Sequence, residues 1–195
     1  MVDENQLQDD LRYVRSALDR SDAPSSPAAV YFLWAAITFV GFALVDFGPK
    51  HTGLYWMVAG PLGGVASGLL GRRAGRARGQ TSSAVGRRHW LHWSAFMVTV
   101  LLLIPLFTTR RLPQTEIPRL VLLLVAFAYF TGGAYLDRRL RWIGGAVAGC
   151  YLLTIAAPGM PHLWTVTAAI LALSFVACGI VTANNERGQR PVPPT

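Results

Sequence analysis

The sequence has few charged residues, and those it has lie at or beyond the ends of its most apolar stretches. Only 14% of its 195 residues are Asp, Glu, Lys or Arg, and Lys50 is the only lysine, whereas soluble domains carry about 25% charged residues. Six apolar stretches between Tyr31 and Ala183 have no charged residue clearly inside them. Ion pumps, proton relays and charge-coupled transporters keep ionisable groups at membrane depth. The absence of such groups therefore weighs against those classes.

Catalytic and metal-binding patterns are also missing. Cys150 and Cys178 lie in apolar stretches without metal-ligand spacing. The histidines are His51, His89, His92 and His162. Only two fall on each predicted side of the membrane, too few for a closed four-ligand site. No nucleophile elbow, zinc-protease pair or phosphate loop occurs. We predict no catalytic residue, no metal and no cofactor, and hence a protein that is not an enzyme.

The apolar stretches themselves define the fold class. The chain is 52% hydrophobic with a mean hydropathy of +0.37, and about 20 apolar residues cross a bilayer as a helix. The predicted spans are 28–46, 54–71, 90–108, 118–136, 142–157 and 163–183. We therefore predict an all-α membrane protein, a six-transmembrane-helix bundle over 28–183. A cytoplasmic amphipathic helix with a Pro/Ser linker (1–27) precedes it, and a cytoplasmic tail (184–195) follows.

The arginines predict the orientation. The net charge is +8, and 14 of the 18 Lys and Arg residues fall on the side that holds both termini and the second and fourth connections. The positive-inside rule places that side in the cytoplasm. The acidic start of the chain does not resemble a cleavable leader. We expect a multi-pass protein of the bacterial cytoplasmic membrane whose arginines face lipid headgroups, with the bilayer as partner and no nucleic acid.

Two spans are rich in glycine at four-residue intervals. The glycines are Gly60, Gly64 and Gly68 in span two and Gly145 and Gly149 in span five. Small residues at this spacing let helix backbones approach closely. The pattern predicts that spans two and five form the central, closely packed pair. It leaves open packing within one chain, a face between two copies in a homo-oligomer, or a flexible gating helix kinked at Pro61.

A few polar residues lie at the predicted span ends. Asp46 ends span one, and His51 and His162 lie in corresponding outer connections. They form a candidate polar site, and the position of Asp46 is also typical of a side chain at headgroup level. Asp137, next to Arg138, is expected at headgroup level as well.

The segment before the first span is the strongest indication of a partner. Its apolar stripe at helical spacing consists of Leu7, Leu11, Val14 and Leu18. The segment is acidic, so an anionic membrane surface repels it, and interfacial anchors are usually basic. Three interpretations remain: docking on the basic connection 72–88 of the same or a neighbouring subunit, docking in a groove of a cytoplasmic protein, or a loosely held solvated helix.

The same segment carries a family resemblance. Residues 10–21, Leu103–Leu106 and, more loosely, 137–144 resemble segments of an uncharacterised bacterial family of six-span membrane proteins. Members often lie beside small winged-helix regulators. The resemblance implies a signalling or regulatory context and supplies no catalytic residue.

These observations predict a non-enzymatic membrane protein that acts as a sensor or regulatory partner of a cytoplasmic protein, or that binds a lipophilic ligand. The alternative is a channel or carrier for a small neutral solute, based on the glycine-rich second span. An intramembrane enzyme acting on lipid is a third interpretation, but the spans hold no acid–base pair for it.

Overall fold

A computed structural model of the chain describes residues 8, 11, 26–77, 83–109, 113 and 116–188. Within these ranges the protein is all-helical, which confirms the predicted fold class. The helices of 17 or more residues within these ranges are α1 (Ala28–Phe47), α2 (Pro49–Ala77), α3 (Ser83–Thr108), α4 (Ile117–Tyr135), α5 (Leu140–Ala156) and α6 (Leu163–Gly188). Five of them are long and apolar enough to cross a membrane, and α5 is a shorter apolar helix.

The helix ends follow local sequence signals and move some predicted boundaries. α1 and α2 are separated by Gly48 alone, because the fixed φ of Pro49 suits the first position of a helix. The second helix therefore begins five residues before the predicted span at 54. α6 continues to Gly188, so the first residues of the predicted tail 184–195 are helical.

The helices pack in a defined order rather than around the predicted glycine-rich pair. α1 packs most extensively against α6, and α4 against α5, while α2 packs on α1 and α3 on α4. Among the described residues, α2 and α5 are not packing neighbours. The prediction that spans two and five form the central pair is therefore wrong.

The buried core comes from four of the six helices. α1, α4, α5 and α6 supply its fully enclosed side chains, which include Tyr31, Leu122, Ile143 and Leu171. The 18 most apolar consecutive residues of α1, α2, α3, α4 and α6 differ in how many of them are buried. Of these residues, 6% are buried in α2 and none is buried in α3, whereas 33–39% are buried in α1, α4 and α6. α2 and α3 are thus peripheral helices that present apolar surface outward.

Candidate functional site

A buried polar cluster lies where α1 begins, α4 passes into α5, and α6 ends. We call this side of the bundle the Ala28 end, and the opposite side the Phe47 end. The Tyr31 hydroxyl donates to Oδ2 of Asp137 over 2.8 Å, and the backbone N–H of Arg139 donates to Oδ1 over 3.0 Å. Asp137 is only 8% exposed. Both oxygens of this carboxylate are therefore engaged inside the protein, and its position at headgroup level stays a prediction.

The cluster continues from the α4–α5 connection to α6. Nη1 of Arg139 donates to the Thr182 hydroxyl over 2.7 Å, and that hydroxyl donates to the Cys178 carbonyl. The backbone N–H of Ala28 reaches Oε1 of Glu186 at 3.4 Å. Because burying unpaired polar groups is costly, these bonds make the cluster a structural joint between three parts of the chain.

A histidine contact lies beside this joint. Nε2 of His92 is 3.0 Å from the carbonyl of Ala128, and Nδ1 bonds the Tyr135 hydroxyl. A carbonyl only accepts, so Nε2 carries the proton and Tyr135 donates to Nδ1. The imidazole packs on the backbone at Gly132, where an added Cβ would lie 3.1 Å from Nε2. His92 thus attaches the peripheral α3 to α4.

Asp46, a candidate from the sequence, lies at the Phe47 end and binds the start of another helix. Its Oδ2 accepts from the backbone N–H and the hydroxyl of Thr165, each over 2.7 Å. Thr165 lies in the first turn of α6, where free N–H groups and the helix dipole favour an anion. Asp46 therefore caps α6 from α1.

The two histidines grouped with Asp46 do not join its carboxylate in a site. His162 is exposed and stacks on Phe47 with ring centroids 5.4 Å apart, and His51 is exposed at the start of α2. Among the residues that the structure describes, no group of three or more His, Cys, Asp or Glu side chains is placed to hold a metal ion.

Arg119 has a role that sequence reasoning missed. It pairs with Glu116, and its Nη2 donates to the Thr154 carbonyl over 3.1 Å. That carbonyl lies in the last turn of α5, the negative end of the helix dipole. The guanidinium therefore caps the end of α5 from α4.

The predicted glycine rows face away from the chain. A Cβ added at Gly60, Gly64, Gly68, Gly145 or Gly149 would meet nothing within 4 Å. Among the described residues, these glycines therefore have no packing partner within the chain, and a face between two copies stays a prediction.

The neighbouring glycines pack instead. A Cβ at Gly63 would lie 2.7 Å from Ile37 of α1, and one at Gly144 would lie 3.0 Å from the backbone nitrogen of Phe130 in α4. In both helices, the glycine that packs is followed directly in the sequence by a glycine that does not.

The predicted partner-binding stripe is described at one position. Leu11 is helical and 61% exposed. Leu7, Val14 and Leu18 lie outside the described residues, as does most of the amphipathic helix predicted within residues 1–27.

No family model matches the chain, and neither a curated protein nor a solved structure matches it.

Proposed function

We propose that this protein acts by binding rather than by catalysis, as a multi-pass membrane protein that serves as a sensor or regulatory partner of a cytoplasmic protein. The observation that carries the proposal is Leu11, a helical leucine that is 61% exposed within an acidic segment. A stripe of leucine and valine on a helix is suited to an apolar groove of another protein. The segment resembles a family whose members often lie beside small winged-helix regulators, and this resemblance supports a cytoplasmic partner.

The engagement of the polar side chains supports binding over chemistry. Asp46 and Arg119 cap helix ends, and both oxygens of Asp137 accept hydrogen bonds within the chain. These contacts give each of the three side chains a structural role in the bundle, which supports binding over chemistry. We place the protein in the cytoplasmic membrane of a bacterium, with both termini in the cytoplasm.

The test is a matched pair of charge substitutions in the N-terminal segment of the full-length protein. Leu11→Asp places a charge on the apolar stripe, whereas Ser16→Asp places the same charge on the opposite side of the predicted helix. Each variant is purified from native membranes with any bound cytoplasmic protein, which is then quantified by mass spectrometry. We expect a co-purified protein that is lost with Leu11→Asp and kept with Ser16→Asp. Equal recovery with both variants would overturn the proposal.

The alternative, a channel or carrier for a small neutral solute, depends on the glycine face of α2. Gly64 faces open space at the surface of the bundle, so a passage along this face would need a second copy. Solute flux into liposomes that is unchanged by Gly64→Leu would count against this alternative.

A further inference from the structure

The six helices divide into two units by how they pack. Unit one consists of α1, α2 and α6, and unit two of α3, α4 and α5. The α1–α6 and α4–α5 contacts are the most extensive in the bundle, and each lies within one unit. Between the units the main contact is α5 against α6, which is smaller than either. The protein is therefore more strongly packed within each unit than between them.

At the Phe47 end, the contacts made by the two charged side chains Asp46 and Arg119 lie within single units. The carboxylate of Asp46 binds Thr165 of α6, and both belong to unit one. The guanidinium of Arg119 binds the Thr154 carbonyl of α5, and both belong to unit two. These contacts hold together the helices of one unit and do not restrain the distance between α1 and α4.

At the Ala28 end, polar contacts cross between the units. Tyr31 of unit one donates to Asp137 of unit two, and Arg139 of unit two donates to Thr182 of unit one. Tyr31 and Thr182 are 2% and 0% exposed. We call these four residues the clamp. Hydrogen bonds have narrow limits of distance and angle, so the clamp fixes the separation of the units at this end.

Between the two ends, the units meet mainly through apolar contacts. The Cys150 thiol of α5, a weak donor, also lies 3.9 Å from the Thr167 carbonyl of α6. The rings of Tyr129 in α4 and Phe175 in α6 pack edge to face with centroids 5.6 Å apart. Apolar contacts are non-directional and allow small sliding motions of packed helices. They hold the units together without fixing their angle.

We propose that the two units pivot about the clamp, so that the bundle opens and closes at the Phe47 end. The six residues 157–162 connect α5 to α6 at that end, so opening occurs away from this connection, between α1 of unit one and α4 of unit two. Collective domain motions of this kind take microseconds to milliseconds. The proposal does not depend on the identity or existence of a cytoplasmic partner.

Spin-label distances in the full-length protein, in lipid nanodiscs, test the pivot. Cys150, whose thiol contacts the Thr167 carbonyl across the units, is replaced by serine to keep a donor there, and Cys178 is replaced by alanine. Exposed positions are then labelled in pairs. Lys50 with Leu123 spans the units at the Phe47 end, and Ala29 with Arg138 spans them at the Ala28 end. Lys50 with Ile170 lies within unit one and serves as the reference. We expect a broad or two-component distance distribution for the first pair and narrow distributions for the other two.

Variants of the clamp separate a pivot from general loosening. Tyr31→Phe removes only the hydroxyl that binds Asp137, whereas Tyr55→Phe removes a hydroxyl that bonds the Ile37 carbonyl inside unit one. We expect Tyr31→Phe to broaden the Ala29–Arg138 distribution and Tyr55→Phe to leave it unchanged. Thr182→Val, which removes the acceptor of Arg139, is the second clamp variant in case the first does not fold.

Two results would overturn the proposal. A Lys50–Leu123 distribution as narrow as the reference would make the bundle one rigid body. An Ala29–Arg138 distribution that is unchanged in the clamp variants would show that the clamp is not the pivot. Neither result bears on whether a protein binds at Leu11, so the pivot and the proposed function are tested separately.

Discussion

At the scale of single residues, charged side chains near the membrane surfaces act on the backbone of other helices. Asp46 binds the first turn of α6, and Arg119 binds a carbonyl in the last turn of α5. In each case the sign of the charge opposes that of the helix dipole at that terminus. Both contacts also satisfy a backbone group that the helix itself leaves unpaired.

The cap provided by Asp46 gives a graded prediction. Asp46→Ala removes both the charge and the acceptor, and the loss of a side-chain cap costs about 1 kcal/mol. Asp46→Asn keeps an acceptor and loses only the charge, so its effect is expected to be smaller. We expect the thermal midpoint of the detergent-solubilised protein to fall in the order wild type, Asp46→Asn, Asp46→Ala. Equal midpoints for all three proteins would show that the cap contributes nothing.

Two glycines give a matched prediction about close packing. A Cβ at Gly133 would lie 2.6 Å from the backbone nitrogen of Arg141, whereas one at Gly145 would meet nothing within 4 Å. Overpacking costs about 1–3 kcal/mol, and alanine is favoured over glycine in an open helical position by up to about 1 kcal/mol. Gly133→Ala is expected to lower the thermal midpoint and Gly145→Ala to leave it unchanged or raise it. The opposite order would contradict the packing of α4 on α5.

The sequence predicts that a charged side chain lies near the end of a span, but it does not predict which helix that side chain contacts. Asp46 and Thr165 are 119 residues apart, and no local pattern joins them. The sequence places Asp137 among arginines, which is typical of a solvated turn. Its burial depends on Tyr31, 106 residues away, and so on the packing of α1 against the α4–α5 connection.

At the scale of whole helices, length and apolarity could be predicted, but packing partners could not. Every predicted span overlaps an observed helix, because about 20 apolar residues in a row have few other folds available to them in a bilayer. α2 has two neighbouring rows of glycine, and its packing partner depends on which of the two rows contacts another helix. Both rows have the spacing that suits close approach, so spacing alone could not choose between them.

The two glycine rows of α2 differ in what they tolerate. Gly63 packs on Ile37, and one helical turn away Trp34 donates to Ser67 over 3.0 Å, so this face holds α2 against α1. Gly63→Leu is expected to detach α2 and lower the thermal midpoint, whereas Gly64→Leu adds the same side chain to the open face and should not. A similar loss in both variants would show that the open face is also packed, as it would be between two copies. Crosslinking in membranes then identifies that contact.

At the scale of the whole molecule, the arginines predict which end of the bundle faces the cytoplasm. The Ala28 end gathers the starts of α1, α3 and α5 and the ends of α2, α4 and α6, and it carries exposed arginines such as Arg73, Arg88 and Arg138. Positive charge near the ends of transmembrane helices is retained on the cytoplasmic side during insertion. The clamp would then lie at the cytoplasmic face, and the opening proposed between α1 and α4 would face away from the cytoplasm.

Cysteine accessibility in intact cells tests this orientation. Met160 lies exposed in the connection between α5 and α6, and Arg138 lies exposed in the connection between α4 and α5, so the two positions mark opposite ends of the bundle. A maleimide that cannot cross the membrane should label Met160→Cys in intact cells and Arg138→Cys only after the cells are permeabilised. Labelling of Arg138→Cys alone in intact cells would reverse the orientation. The N-terminal segment with Leu11 would then lie outside the cytoplasm, which would exclude a cytoplasmic partner while leaving the two-unit pivot intact.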